Sequence, residues 1–313
     1  MKTKLVALAA AATALTTGLS GCGSDSSSSS DSKGGGTVAS QMVFGAEPNF
    51  KTRPDGIPGL EKNYGVKFGK YTVTDVGGPV TVNALKRGQV DAVDLFTTDP
   101  SIAANNFVIL EDPKSNFAAQ NVVPLITKTK ATDGVKQVIT GIQAKLTTQN
   151  LGEMYAKVVN DKADPADVAK GFLSDNGLDA SGTSAKGVSL TVGSANFPEN
   201  VILADIYAQA LEAQGATVET KLNIGARPKY WEALKQGSID LFPEYTGSIN
   251  SYLSPKSKAT SPDDVYAALV KVLPSNLVAL DKAEAQDSDA IVVTQETADK
   301  FKLKTIADLA KKG

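Results

Sequence analysis

The chain has 313 residues, 21% of them charged, with 32 Lys and Arg against 34 Asp and Glu for a formal net charge of −2, one cysteine and no histidine. This inventory excludes zinc sites of the His and Cys type, His-assisted nucleophiles, imidazole relays and any disulfide within the chain. The charge balance argues against nucleic acid as a partner. Carboxylates, lysines and hydroxyls alone remain for catalysis, so the chain is read as a non-enzyme with no cofactor and no metal.

Met1 to Cys22 reads as a targeting segment. Lys2 and Lys4 supply its positive start, Leu5 to Leu19 is apolar and small, and Leu19-Ser20-Gly21-Cys22 closes it as a lipobox. The apolar stretch is short for a bilayer span and suits a signal peptide whose Cys22 is lipidated, which places the protein outside the cytoplasm on a membrane anchor. Gly23 to Gly36 holds no apolar residue, and residues 23–39 are expected to form a flexible tether. About 275 residues follow, enough for two domains or one two-lobed unit.

The strongest internal signal is a repeat. Ala84-Leu85-Lys86-Arg87-Gly88-Gln89-Val90-Asp91, continuing to Phe96-Thr97, matches Ala233-Leu234-Lys235-Gln236-Gly237-Ser238-Ile239-Asp240, continuing to Tyr245-Thr246, without a gap. Each copy reads as a helix ended by glycine, a short apolar strand, and a polar turn with an aromatic residue. Upstream lie matching strands at Met42-Val43-Phe44-Gly45 and Leu190-Thr191-Val192-Gly193. Asp91 and Asp240 are expected to finish strands or cap turns, with no part in chemistry.

Between and around the copies, Asp164-Pro165 and Ser261-Pro262 are helix starts with a capping side chain and an early proline. Asn200 to Gly215 has Val201, Ile202, Ile206 and Leu211 spaced for one buried face, and Thr217 to Ile224 reads as a strand. Asn121 to Ile126 and Asp289 to Val293 stand apart from the repeats and are read as the hinge between two lobes. The alternation of strands and helices implies an α/β fold whose ligands bind beyond the carboxyl ends of the strands, where Phe96 and Tyr245 sit.

Val192-Gly193-Ser194-Ala195-Asn196-Phe197-Pro198-Glu199-Asn200, Pro243-Glu244-Tyr245-Thr246-Gly247, Thr52-Arg53-Pro54-Asp55-Gly56 and Phe96-Thr97-Thr98-Asp99 resemble the glycine betaine/choline/carnitine substrate-binding proteins of osmoprotectant ABC importers. The resemblance implies a two-lobed, type II periplasmic-binding-protein-like fold with two crossovers, closing like a hinge on a small solute and docking on an ABC permease. The two halves stand in exchanged order, as in a circular permutation joined through residues 178–187. By this mapping one lobe combines 40–121 with 294–313, and the other runs continuously over 122–293.

The resemblance also assigns a site. Tyr245 and Phe96 match aromatic residues that box a quaternary ammonium, which offers no hydrogen-bond donors and is recognised by ring faces. Arg53 matches an arginine that grips the solute carboxylate, Ser248 matches a hydroxyl residue that assists it, Thr246 is a further ligand-binding candidate, and Asp287 sits near the hinge edge. Gln120 and Asp289 stand where two more tyrosines are expected, and Ala195 where some members carry lysine, so the box is half built. Phe197, Tyr230 and Trp231 are candidate replacement rings, and Arg227 a candidate anion contact at a helix start. A sensor that binds a solute, or a receptor for a non-quaternary amino acid or other small zwitterion, fits the same residues.

Overall fold

The structure, a computed structural model, describes residues 36–313 apart from Val76 and Ala226. The targeting segment, Cys22 and the tether as far as residue 35 lie outside the described residues. The rest of the predicted tether is not free chain. Thr37 bridges to Lys312, the Val38 N–H donates to the Lys311 carbonyl at 2.9 Å, and Val38 and Ala39 are buried. Two apolar residues at the end of a polar run have a core to enter, and burying them offsets the entropy of ordering them.

The chain then builds β1 (Val43–Ala46), α1 (Ile57–Tyr64), β2 (Lys70–Val73), α2 (Pro79–Lys86), β3 (Ala92–Phe96), α3 (Pro100–Ala104) and β4 (Phe107–Ile109). It crosses into β5 (Val122–Thr127), α4 (Asp133–Gln143), α5 (Thr148–Val159), α6 (Pro165–Asp175), β6 (Ser189–Gly193), α7 (Pro198–Ala213), β7 (Thr217–Lys221) and α8 (Arg227–Lys235). There follow β8 (Leu241–Tyr245), α9 (Thr246–Leu253), α10 (Pro262–Val272) and β9 (Leu277–Ala279), before the chain returns with β10 (Asp289–Thr294) and α11 (Gln295–Phe301). Two five-stranded sheets result, ordered β2-β1-β3-β10-β4 and β7-β6-β8-β5-β9. This is the two-lobed α/β arrangement with two crossovers that the motifs imply.

The repeat is the scaffold of both lobes. Gly88 and Gly237 end their helices in the left-handed region, at φ of 66° and 71°, which glycine adopts without steric cost. Asp91 accepts the Val43 N–H at 2.8 Å and Asp240 the Thr191 N–H at 3.0 Å, so both aspartates do pin the neighbouring strand. A Cβ on Gly45 would stand 3.1 Å from Val90, and one on Gly193 only 2.8 Å from Ile239, so each strand glycine admits the apolar residue that follows the repeat's turn.

Two expectations need correction. Strand β10 pairs with β3 and β4, so the residues assigned to the continuous lobe up to 293 include a strand of the split lobe. Nor are the two apolar runs themselves the hinge. Each is an antiparallel strand inside one sheet, β5 beside β8 and β10 beside β3. Hydrogen bonding decides this: an apolar run buried on both faces finds its backbone partners within a sheet. The crossings are the short segments just before them, where Asn121 and Gln286 form an isolated antiparallel bridge.

Helix starts fall as expected, with Asp164 accepting the Ala166 N–H and Ser261 that of Asp264. Helix α7 departs from a one-faced pattern. It is buried nearly all round, including Glu199, Asn200 and Asp205, because β6 and β8 cover one side and α4, α5 and α6 the other. Tyr207 lies at its centre and donates to Gln143 at 3.0 Å, which satisfies both groups inside the core.

Candidate functional site

The second lobe supplies one wall. After β6 the backbone turns through Ser194 to Phe197, and three bonds hold that turn. Asn200 accepts the Ala195 N–H and donates to the Pro243 carbonyl, both at 2.7 Å, and Ser194 accepts the Asn223 N–H at 2.9 Å. The turn thereby fixes Phe197 as the N-cap residue of α7 and Glu199 in its first turn. Tyr245, the last residue of β8, donates its hydroxyl to Glu199, and its ring lies 6.1 Å from that of Phe197. Phe197 is 38% exposed, so this ring pair has one wet face.

Glu199 is 3% exposed. Burial pushes its carboxyl up to about 8, the charge of Asp287 adds to the rise, and the hydroxyls of Tyr245 and Thr98 oppose it. Tyr245 is raised well above its ordinary value by the same burial and by Glu199 and Asp287. Thr98 and Asp287 belong to the first-lobe side and the returning crossover. The Thr98 hydroxyl donates to Asp287 at 2.7 Å, and burial with the charges of Asp289 and Asp99 raises Asp287 against that bond. On α5, Gly152 brings its backbone so close to Thr98 that a Cβ would stand 3.2 Å from the Thr98 carbonyl.

Deeper in the first lobe lies Arg53. Its guanidinium is 2.9 Å from Asp289, 3.2 Å from Asp55, 3.8 Å from Glu47 and 3.9 Å from Asp94, and it sits 4.7 Å from the centre of the Phe50 ring. Burial works against its charge, but Asp289 first and then Asp55 and Asp94 outweigh it and hold it protonated. Asp94 is itself buried, and burial with the Asp289 charge raises it well above the usual carboxylate range despite Arg53. Its Oδ1 accepts no hydrogen bond. Tyr71, beside this group, is pushed up to about 12 by burial and by Asp94 and Glu47.

The other expected residues fall into distinct places. Phe96 packs against Gly77 of its own lobe, where a Cβ would stand 3.2 Å from its ring, while Tyr245 keeps its ring against Phe197. Gln120 accepts the Ser248 N–H at 2.8 Å, and its carbonyl accepts the Asp287 N–H at 3.3 Å, so it ties α9 to the crossover. The Thr246 hydroxyl donates to the Ala119 carbonyl and accepts the Asn121 N–H, both at 3.1 Å, and the residue is fully buried. Ala195 is buried in the second-lobe core.

Three further candidates are structural. Tyr230 and Trp231 are buried, Tyr230 stacking on Phe242 at 4.0 Å. Arg227 forms a two-pronged pair with buried Glu244, at 2.9 and 3.2 Å, and Glu244 also accepts from the Tyr230 hydroxyl and the Tyr245 N–H. Four donors satisfy that carboxylate, and the pair commits Nε and Nη2 of Arg227 to Glu244. Sequence reasoning passed over Glu199, Thr98 and Asp94. Glu199 had a signal, an acid between Pro198 and the apolar run that opens α7; Asp94 had another, an acid inside an apolar strand.

A cavity of about 310 Å³ lies alongside the crossovers, lined by Thr97, Thr148, Gln286, Ser288 and Asp289 among others. Tyr245, Glu199 and Arg53 do not line it. The constellation described above therefore rests on side-chain geometry: two carboxylates, Glu199 and Asp287, held between lobes beside a tyrosine ring, and an arginine encircled by acids.

Comparison with known proteins gives the chain its relatives. The model of the family described as the substrate binding domain of ABC-type glycine betaine transport system matches residues 28–175 and 188–313. The glycine betaine-binding protein YehZ of Escherichia coli is 31% identical over 124 residues, 38% of this chain and 41% of that protein. A glycine-betaine-binding protein of Pseudomonas aeruginosa is 26% identical over 152 residues, 48% and 49% of the two chains. The carnitine transport binding protein OpuCC of Listeria monocytogenes is 25% identical over 142 residues, 44% and 46%. The matches thus span about half the length of these curated relatives.

Proposed function

We propose, because this chain belongs to the family of substrate-binding domains of ABC-type glycine betaine transport systems, that it captures a small solute between its lobes outside the cytoplasm and presents it to an importer's permease. The solute is a quaternary ammonium osmoprotectant of the glycine betaine, choline or carnitine type. Supporting this is the inter-lobe group itself: the Tyr245 ring paired with Phe197, with Glu199 and Asp287 beside it. Ring faces attract such a cation at about 1–2 kcal/mol each when desolvated, and a cation beside Glu199 and Asp287 would favour their ionised forms.

Hinge closure fits the two crossings between the sheets among the described residues, which run side by side at Asn121 and Gln286. Titrating the purified domain by calorimetry with glycine betaine, choline and carnitine tests the reading. At least one should bind, and Tyr245→Ala should weaken it tenfold or more; no binding to any of the three would refute the solute class.

Lipid anchoring at Cys22 belongs to the same reading and rests on Leu19-Ser20-Gly21-Cys22. Cys22→Ser should release the protein from the membrane fraction of expressing cells, and an unchanged distribution would count against the anchor. The permuted order rests on the exchanged order of the motifs around residues 52–56, 96–99, 192–200 and 243–247, and the family match falls in two segments with residues 176–187 between them.

A further inference from the structure

We propose that Gly152 is the positioning residue of lobe closure: its lack of a side chain lets α5 of the second lobe rest against the Thr98 backbone of the first, and this contact sets how far the lobes close. This rests on the hinge-closure reading and adds the residue that limits the motion.

Helix α5 serves two surfaces. Leu151 and Met154 enter the second-lobe core. Thr148, Gly152, Tyr155 and Val159, spaced at i, i+4, i+7 and i+11, form a stripe on another face that meets the crossover and the first lobe. Thr148 stands at the pivot, where its hydroxyl accepts the Gln286 N–H at 3.0 Å. Gly152 follows one turn out, about 6 Å along the axis, and a Cβ there would lie 3.2 Å from the Thr98 carbonyl oxygen and 3.6 Å from the Thr98 Cα. Further along, Tyr155 and Val159 line a cavity of about 400 Å³ whose first-lobe wall includes Pro79, Val82, Ala104 and Asn105. The lobes therefore meet at Gly152 and leave space beyond it.

The backbone does not require glycine at this position. Gly152 lies inside a regular helix without a positive φ, and glycine is the poorest helix former after proline, so its benefit lies in the contact. Thr98 is poorly placed to yield to a side chain. Its hydroxyl donates to Asp287 at 2.7 Å, and the neighbouring Thr97 is bound to the crossover three times. The Thr97 N–H donates to the Ser288 carbonyl at 2.9 Å, and its hydroxyl donates to the Gln286 carbonyl at 3.0 Å and accepts the Ser288 N–H at 3.1 Å. A side chain at position 152 is then accommodated by rotating the lobes apart, and a small displacement this near the pivot becomes a wide one at the cleft mouth.

Gly152→Ala and Gly152→Leu test this, since both replacements are good helix formers. Each purified variant is followed by thermal melts, by small-angle X-ray scattering without solute, and by calorimetry with choline, glycine betaine and carnitine. The melting temperature should hold or rise, while the radius of gyration grows from wild type through Ala to Leu. Affinity for whichever solute the wild type binds should fall severalfold for Ala and tenfold or more for Leu, because fewer molecules reach the closed state. A folded Leu variant with the wild-type radius overturns the proposal, as does a lowered melt with radius and affinity unchanged, the mark of a glycine that serves the fold alone. Should the Leu variant not fold, the Ala variant decides by the same readouts. Scattering uses no solute, so it judges Gly152 even where none of the three solutes binds, a result that refutes the solute class alone.

Discussion

Glu199 links protonation to stability. Buried in the first turn of α7 and facing Asp287, it is held protonated above the ordinary carboxylate range. The sign follows from linkage: between its unfolded value near 4.3 and its raised folded value, the folded state keeps a proton that the unfolded state has lost, so stability falls as pH rises through that window. Below the unfolded value the contribution is flat. Glu199→Gln imitates the protonated group, so wild type should lose on the order of a few kcal/mol relative to this variant between pH 5 and 8. Thermal melts read it, and parallel curves for the two proteins would show that the group titrates normally. A bound cation favours the ionised carboxylate, so affinity for it should rise over the same range. Motif reasoning singles out Tyr245 and Arg53 because their types and turns are local. The Arg53–Asp289 pair was not legible in the sequence, since its members come from opposite ends of the chain and meet only because β10 inserts beside β3.

Among elements, the repeated helix–glycine–strand units were readable because their signals are short-range: glycine at positive φ, and an aspartate that pins the adjacent strand. The strands β5 and β10 were readable as strands but not as members of a given sheet. An apolar run of six residues carries no information about its partner, which long-range hydrogen bonding selects. The burial of α7 was half readable. Its apolar spacing predicts one face in the core, but the packing of α4, α5 and α6 on its other side depends on where the chain crosses between lobes. Helix α5 illustrates the same dependence. Its first turn is a capping box at Thr147 and Asn150, written locally, whereas Gly152 serves the approach of Thr98 from the other lobe.

For the whole molecule, the order of its halves is the feature that geometry and sequence jointly constrain. The described N-terminal and C-terminal residues meet: Gly313 donates to the Gly36 carbonyl at 2.9 Å, and Thr37 bridges Lys312. Ends that close could be joined by a short linker without bending either lobe. The segment between the two family matches, residues 176–187, is a connection without helix or strand of its own between α6 and β6. Its contacts are few but specific, with Gln214 donating to the Ala180 carbonyl at 2.8 Å and the Ala185 N–H reaching the Gln214 carbonyl at 3.0 Å. A chain recut to begin at Gly187, end at Asn176 and join Gly313 to Gly36 through a few glycines should therefore fold to the same two sheets. It should also keep solute affinity within about threefold, because β10 would still insert beside β3 and carry Asp289 to Arg53. Its melting point should fall by the loss of the 177–186 contacts alone, on the order of 1–2 kcal/mol of side-chain and backbone hydrogen bonds. Loss of cooperative unfolding in the recut chain would mean that the present order of the halves is itself needed for the fold, and the proposed permutation would then be wrong.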